Sequence, residues 1–181
     1  MKQINFAIIV PMANESKDFN PFIDELKETL SNYNKAKVYI IVDNVSKDNT
    51  LELCESLSKN DPRFITIYEP LNNNIVDAYL RGYKEAYKNG HEIIIEMDAG
   101  LSHDPKAIPL FLKALNDGYV CAFGSRFMEG GSIKDSNFKR TFLSKFGTYL
   151  SNFLLGSKLH DMTSGYQGFH APLVKQLLEY K

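Results

Sequence analysis

Five short apolar runs recur along the chain between stretches of helical periodicity: Phe6–Val10, Val38–Val42, Phe64–Tyr68, Ile93–Met97 and Tyr119–Phe123. They are rich in Ile, Val and aromatic residues, and most do not alternate apolar with polar. Strands of that kind need cover on both faces. Helices that link parallel strands supply such cover. The intervening segments fit that role. Asn20-Pro21 predicts an N-cap and a first-turn proline, with Phe22, Leu26 and Leu30 following on one face. Thr50–Leu57 reads as a second helix. Residues 75–88 read as a third, stopped by Asn89-Gly90, and Pro105 opens a fourth that ends near Asn116-Asp117-Gly118. The expected fold is α/β, with a Rossmann-like, mainly parallel sheet flanked by helices and joined by right-handed crossovers.

After Gly124 the pattern changes. A polar loop (125–137) leads into a long amphipathic segment, Phe138–Leu155. A further loop (156–165) precedes a short strand, Tyr166–His170, and the sequence stops inside a helix, Leu173–Tyr180. Phe138, Phe142, Leu143, Phe146, Leu150, Phe153 and Leu154 recur at helical spacing. Packing against the core is the usual fate of such a stripe, so most of it is expected to be buried, with its first turn near a membrane. The whole chain, 1–181, reads as one domain truncated at its C-terminus.

The net charge of −1 gives no overall field to attract nucleic acid. Cys54 and Cys121 belong to no Cys/His cluster and read as free thiols of a reducing compartment. No segment is long and apolar enough to span a membrane. The default expectation is a cytoplasmic location.

In open α/β sheets, ligands gather where strands end in their carboxyl direction. Polar residues cluster at four such places. Pro11, Asn14 and Glu15 follow the first strand. Asp43, Asn44, Ser46 and Asp48 follow the second. Asp98, Ser102, His103 and Asp104 follow the fourth, and Gly124, Ser125 and Arg126 follow the fifth. Asp43 and Asn44 would equally suit a turn, and Asp48 and Asn49 a helix cap. Neither GxGxxG nor GxxxxGK[ST] is present, so a nucleotide would be held by other means.

Four segments together carry a resemblance: IIVPMANE (8–15), IIVDNVSKDNT (40–50), IIIEMDAGLSHDPKAIP (93–109), and GSRF (124–127) followed by Lys139-Arg140 and DMTSGYQGF (161–169). They resemble family 2 glycosyltransferases, and among these the dolichyl- and polyprenyl-phosphate mannose synthases. The resemblance implies a GT-A fold in which residues 1–124 bind a GDP- or UDP-sugar and 125–181 meet the acceptor. It implies inverting transfer to a polyprenyl phosphate, with peripheral contact at the cytoplasmic face of a membrane. Pro11, Asn14, Glu15, Asp43 and Asp98 would bind the nucleotide, and Asp98 would hold Mg2+ or Mn2+. Arg126, Lys139 and Arg140 would receive the acceptor phosphate. Arg126 and Asp161 would join Asp98 in catalysis, Asp161 as a base or as an orienting residue.

The chain departs from the family pattern at several positions. Gly100 stands where the second acid of the Asp-x-Asp segment is usual, which predicts weak metal binding and a gain from Gly100→Asp. Asn44 replaces a second Asp. Asn72-Asn73-Asn74 replaces a glycine-rich turn, and Gln167 replaces Arg. Two other readings stay open: transfer to a saccharide hydroxyl, and a weakly catalytic module that binds sugar nucleotides.

Overall fold

The computed structural model describes residues 3–72, 74–127 and 138–180, with the backbone alone for 138–141. In chain order the elements are β1 (Phe6–Met12), α1 (Phe19–Leu30), β2 (Lys37–Val42), α2 (Thr50–Asn60), β3 (Phe64–Tyr68), α3 (Ile75–Lys88) and β4 (Ile93–Glu96). A single 3-10 turn, Pro105–Ala107, leads into α4 (Ile108–Asn116). Then come β5 (Cys121–Phe123), α5 (Phe138–Leu155), β6 (Gln167–His170) and α6 (Ala171–Glu179). The six strands form one sheet in the order β3-β2-β1-β4-β6-β5.

β3, β2, β1 and β4 pair in parallel. β6 lies between β4 and β5 and runs antiparallel to both. The sheet is therefore mainly parallel, as the apolar runs imply. No local pattern in the sequence points to the insertion of β6. Gly168 lets this strand fit: a β-carbon there would stand 3.1 Å from the Phe111 ring of α4.

Successive residues of β1 feed two cores, as the period of two dictates. Phe6, Ile8, Val10 and Met12 pack with α1, α2 and α4 on one face. Ala7 and Ile9 pack with α3 and α6 on the other. The pairing of β1 with β4 ends at Ile9↔Glu96, whereas its pairing with β2 continues to Met12↔Val42. Beyond Ile9 one side of β1 is open, so Pro11 is tolerated in a central strand. The same divergence opens a crevice at the carboxyl edge.

Two sequence expectations are corrected. α1 begins at Phe19 with Asp18 as its N-cap, not at Asn20. Phe19 is buried in the core, so the helix extends to include it. Pro21 still falls in the first turn, where its missing N–H costs nothing. The second correction concerns α5. Phe142, Leu143, Phe146, Leu150, Phe153 and Leu154 are 43–76% exposed. The inward face is the small, polar one: Thr148 is buried and accepts from the Met162 N–H, while Asn152 bonds both backbone groups of Leu159. Those polar bonds turn the apolar face outward. Phe138 lies outside the described side chains.

α3 approaches the sheet closely at Gly82, where a β-carbon would stand 2.2 Å from Ile9 Cγ2. Gly82→Ala should therefore destabilise the protein, although alanine gains about 1 kcal/mol of helix propensity. Overpacking of this kind costs about 1–3 kcal/mol. We expect a lower urea midpoint at unchanged m-value; an unchanged or higher midpoint would show that α3 can move off β1 without penalty.

Candidate functional site

The loops after β1 and β2 are bonded to one another. Asn14 sits at φ 59 and uses its amide entirely within this pair, donating from Nδ2 to the Val45 carbonyl and accepting from the Lys47 N–H. Its own N–H donates to Ser46 Oγ. The Ser16 N–H donates to Asp48, and the Glu15 N–H to the buried Thr50 hydroxyl. Bonds from Ser16 and Thr50 hold the Asp48 carboxyl well below its usual range. Asp43 accepts from the Val45 N–H, as a turn residue would. Because β2 and β4 both run parallel to β1, Asp43 and Asp98 share one edge of the sheet.

At the exit of β4, Asp98 is held from two sides. The Tyr79 hydroxyl donates to its Oδ1 at 2.7 Å. The Asp98 N–H donates to His103 Nδ1 at 2.9 Å, which leaves the ring proton on Nε2, 3.7 Å from Asp98 Oδ2. Burial lowers the His103 pKa, opposed by Asp98 and assisted by the nearby Arg126. It stacks on Tyr166 at 4.9 Å between centroids. The Asp98 side chain keeps 40% exposure. Gly165 leaves room beside it, for a β-carbon there would stand 3.7 Å from both carboxylate oxygens.

One strand position behind the site, Glu96 is buried and bonded to the Tyr83 hydroxyl. Burial drives its pKa up to about 7; the Tyr83 bond opposes the shift and Asp98 adds to it. Tyr79 and Tyr83 are one helical turn apart on α3, and Glu96 and Asp98 are two residues apart along one chain direction. The helix thus presents one hydroxyl to each acid. Sequence reasoning missed Tyr79, Tyr83 and Glu96. The signal was available in the matched spacings, i and i+4 against i and i+2.

The third group joins the residues after β5 to those before β6. Arg126 Nε donates to Asp161 Oδ2 at 2.8 Å and Nη2 to Asp161 Oδ1 at 3.0 Å. Nη2 also donates to Thr163 Oγ1, and Thr163 bonds back to Asp161 through its N–H and hydroxyl. Asp161 is 2% exposed. Burial would raise its pKa, but these bonds from Arg126 and Thr163 outweigh it and leave the carboxyl below its usual value. The planar fork of Arg126 is therefore spent on Asp161, and Nη1 is the part left for a ligand. Lys145 of α5 and Arg126 both lie 5.3 Å from the centroid of the Phe127 ring. The Lys139 and Arg140 side chains lie outside the described residues.

Gly100 sits at φ 72, and a β-carbon on it would stand 2.9 Å from Glu15 Oε2. The expected gain from Gly100→Asp alone is changed by this contact, because the new side chain would enter a left-handed backbone and meet an existing carboxylate. Among the described residues no cluster of three or more His, Cys, Asp or Glu side chains forms a closed metal site.

The profile of the Glycosyl transferase family 2 matches residues 7–178. A polyprenol monophosphomannose synthase of Mycolicibacterium smegmatis is 29% identical over 171 residues, which is 94% of this chain and 63% of that protein. A dolichol-phosphate mannosyltransferase of Pyrococcus furiosus is 30% identical over 173 residues, 96% of this chain and 47% of that protein. The chain thus spans about half to two thirds of the length of these relatives. Among solved structures, a mannosyltransferase of Pyrobaculum calidifontis in complex with GDP-Man and Mn2+ superposes with a TM-score of 0.62 at 16% identity, covering 98% of this chain and 47% of that one. Glucosyl-3-phosphoglycerate synthase of Mycobacterium tuberculosis, with Mg2+ and UDP, gives 0.63 at 17% identity, covering 94% and 57%. The fold is GT-A.

The Glu96 environment generates a pH prediction. A carboxyl whose pKa is raised on folding binds its proton more tightly in the folded state, so stability falls as pH rises from the unfolded value to the folded one. That window runs from about 4.5 to about 7. In metal-free protein, Glu96→Gln should remove this loss. We expect the variant to gain on the wild type across the window by on the order of 3 kcal/mol. Parallel stability curves for the two proteins in urea titrations at pH 5 and pH 8 would refute a raised Glu96 pKa.

Proposed function

The chain belongs to the glycosyl transferase family 2, and from that membership we propose that it transfers a sugar, with inversion, from a GDP- or UDP-sugar to a polyprenyl phosphate. Pro11 and Asp43 would receive the nucleoside, and Asn14 shapes that side by tying the two loops together. The donor set around Asp98 suits a hard cation: one carboxylate oxygen is oriented by Tyr79, the side chain is part-exposed, and Gly165 stands beside it. A bound Mg2+ or Mn2+ would offset the charge of the departing diphosphate.

The acceptor reading rests on one observation. Arg126, fixed by buried Asp161, and Lys145 converge on Phe127, and Lys145 belongs to the helix whose apolar face is exposed. Cations beside an exposed apolar surface match a phosphate head on an isoprenoid tail. A phosphate monoester is ionised near neutral pH and needs no base, so positioning and charge neutralisation suffice. Asp161 serves that chemistry by orienting Arg126. A saccharide hydroxyl would need a base, and Asp161, with both oxygens engaged and its pKa lowered, is a poor one.

The test is transfer of radiolabelled sugar from a panel of GDP- and UDP-sugars into a polyprenyl phosphate. We expect one donor to be used, and Asp98→Asn to lower transfer by about 100-fold or more. Transfer only to a free saccharide, or none with any donor, would overturn the reading.

We also assign the exposed face of α5 to a lipid surface. Among the described residues no helix is long and apolar enough to cross a membrane; this face would lie in the plane of the interface. Phe146→Ser with Phe153→Ser should abolish co-sedimentation with vesicles containing anionic lipid and leave the melting temperature unchanged. A lower melting temperature would instead mark the face as core.

A further inference from the structure

The acid missing at residue 100 leaves a gap in the usual donor set, and another side chain stands in that gap. A β-carbon built on Gly100 would lie 2.9 Å from Glu15 Oε2, 3.7 Å from its Cδ and 3.8 Å from its Oε1. The carboxylate of Glu15 fills the volume into which a side chain at 100 would project. Its backbone is fixed by the Thr50 hydroxyl and by the bond from the Asp18 N–H to its carbonyl. No described residue donates a hydrogen bond to its carboxylate. Burial raises its pKa, and Asp18, Asp48 and Asp98 raise it further. Asp18, Asp48 and Asp98 are the charged groups that act on Glu15 among the described residues.

We propose that Glu15 supplies the second carboxylate of the divalent-cation site, reaching across from the β1 loop in place of the side chain absent at Gly100. The assignment rests on the nucleotide-sugar reading above and moves Glu15 from the base to the metal. Mg2+ and Mn2+ take oxygen ligands, commonly one or two carboxylates together with substrate phosphates. Asp98 provides the first. Glutamate is one methylene longer than aspartate, which suits a ligand arriving from the opposite wall. Gly100 is then a requirement and not merely a loss, since any larger residue would displace the Glu15 carboxylate.

The test measures Mn2+ binding by electron paramagnetic resonance, and GDP and UDP binding by calorimetry with and without Mn2+. Glu15→Gln should weaken Mn2+ binding at least about 10-fold, the size of one lost charged ligand contact of about 1.4 kcal/mol or more. Its metal-free nucleotide affinity should stay within about twofold. Asp43→Asn should weaken nucleotide binding in both conditions. Gly100→Asp alone should not tighten Mn2+, whereas Gly100→Asp combined with Glu15→Gln should recover binding relative to Glu15→Gln. Circular dichroism melting of each variant confirms that it is folded. Nucleotide binding intact but Mn2+ affinity unmoved by Glu15→Gln would overturn the assignment alone, as would an equal loss with and without metal. No nucleotide binding by the wild type in either condition would overturn the nucleotide-sugar reading and this assignment with it.

Discussion

The depth at which α3 settles on β1 governs the rest of the site. Gly82 allows the helix axis to come within contact of Ile9, a distance that any β-carbon would forbid. Only at that depth do Tyr79 and Tyr83 reach the end of β4, where their hydroxyls meet Asp98 and Glu96. A glycine on the buried face of α3 thereby fixes the orientation of Asp98, the acid proposed to hold the metal. The neighbouring end of β1 is set by the same strand, since its pairing with β4 stops at Ile9 and the two chains part from there.

The crevice walls are rigid for different reasons. On the β1–β2 side a network of backbone and short polar side chains, centred on Asn14 and Asp48, joins two loops that would otherwise move separately. On the β5–β6 side an ion pair between part-exposed Arg126 and buried Asp161 does the same across 35 residues of chain. Breaking a buried pair leaves an uncompensated charge, a more severe penalty than the pair's own worth. Between these walls stand the carboxylates of Glu15 and Asp98.

Much of this was legible in the sequence. Apolar runs without alternation located the parallel strands, and the rule that ligands sit beyond strand carboxyl ends placed Asp43 and Asp98 on one edge before any coordinates. What was not legible has physical causes. Tyr79 and Tyr83 fall on the buried stripe of α3, where an aromatic residue reads as core; the hydroxyl becomes informative only when its partner is seen. Periodicity in α5 told which side chains share a face, yet not which way that face points. Bonds from Thr148 and Asn152 decided the direction, and isolated Thr and Asn carry no such signal. Strand β6 is only four residues long, Gln-Gly-Phe-His, and nothing local marks it as the one that runs against the others.

The place of β6 in the sheet has a consequence for assembly. The change of pattern near Gly124 divides the sequence in two, but the sheet does not respect that boundary. β5 belongs to the first half and finds its partner only in β6, and β4 presents an unpaired edge until the same strand arrives. During synthesis the first half therefore emerges with an open row of backbone donors and acceptors along Ile93–Glu96, a template for pairing with another chain. The late strand acts as a clasp: chain topology makes the arrival of β6 the event that closes the sheet between β4 and β5.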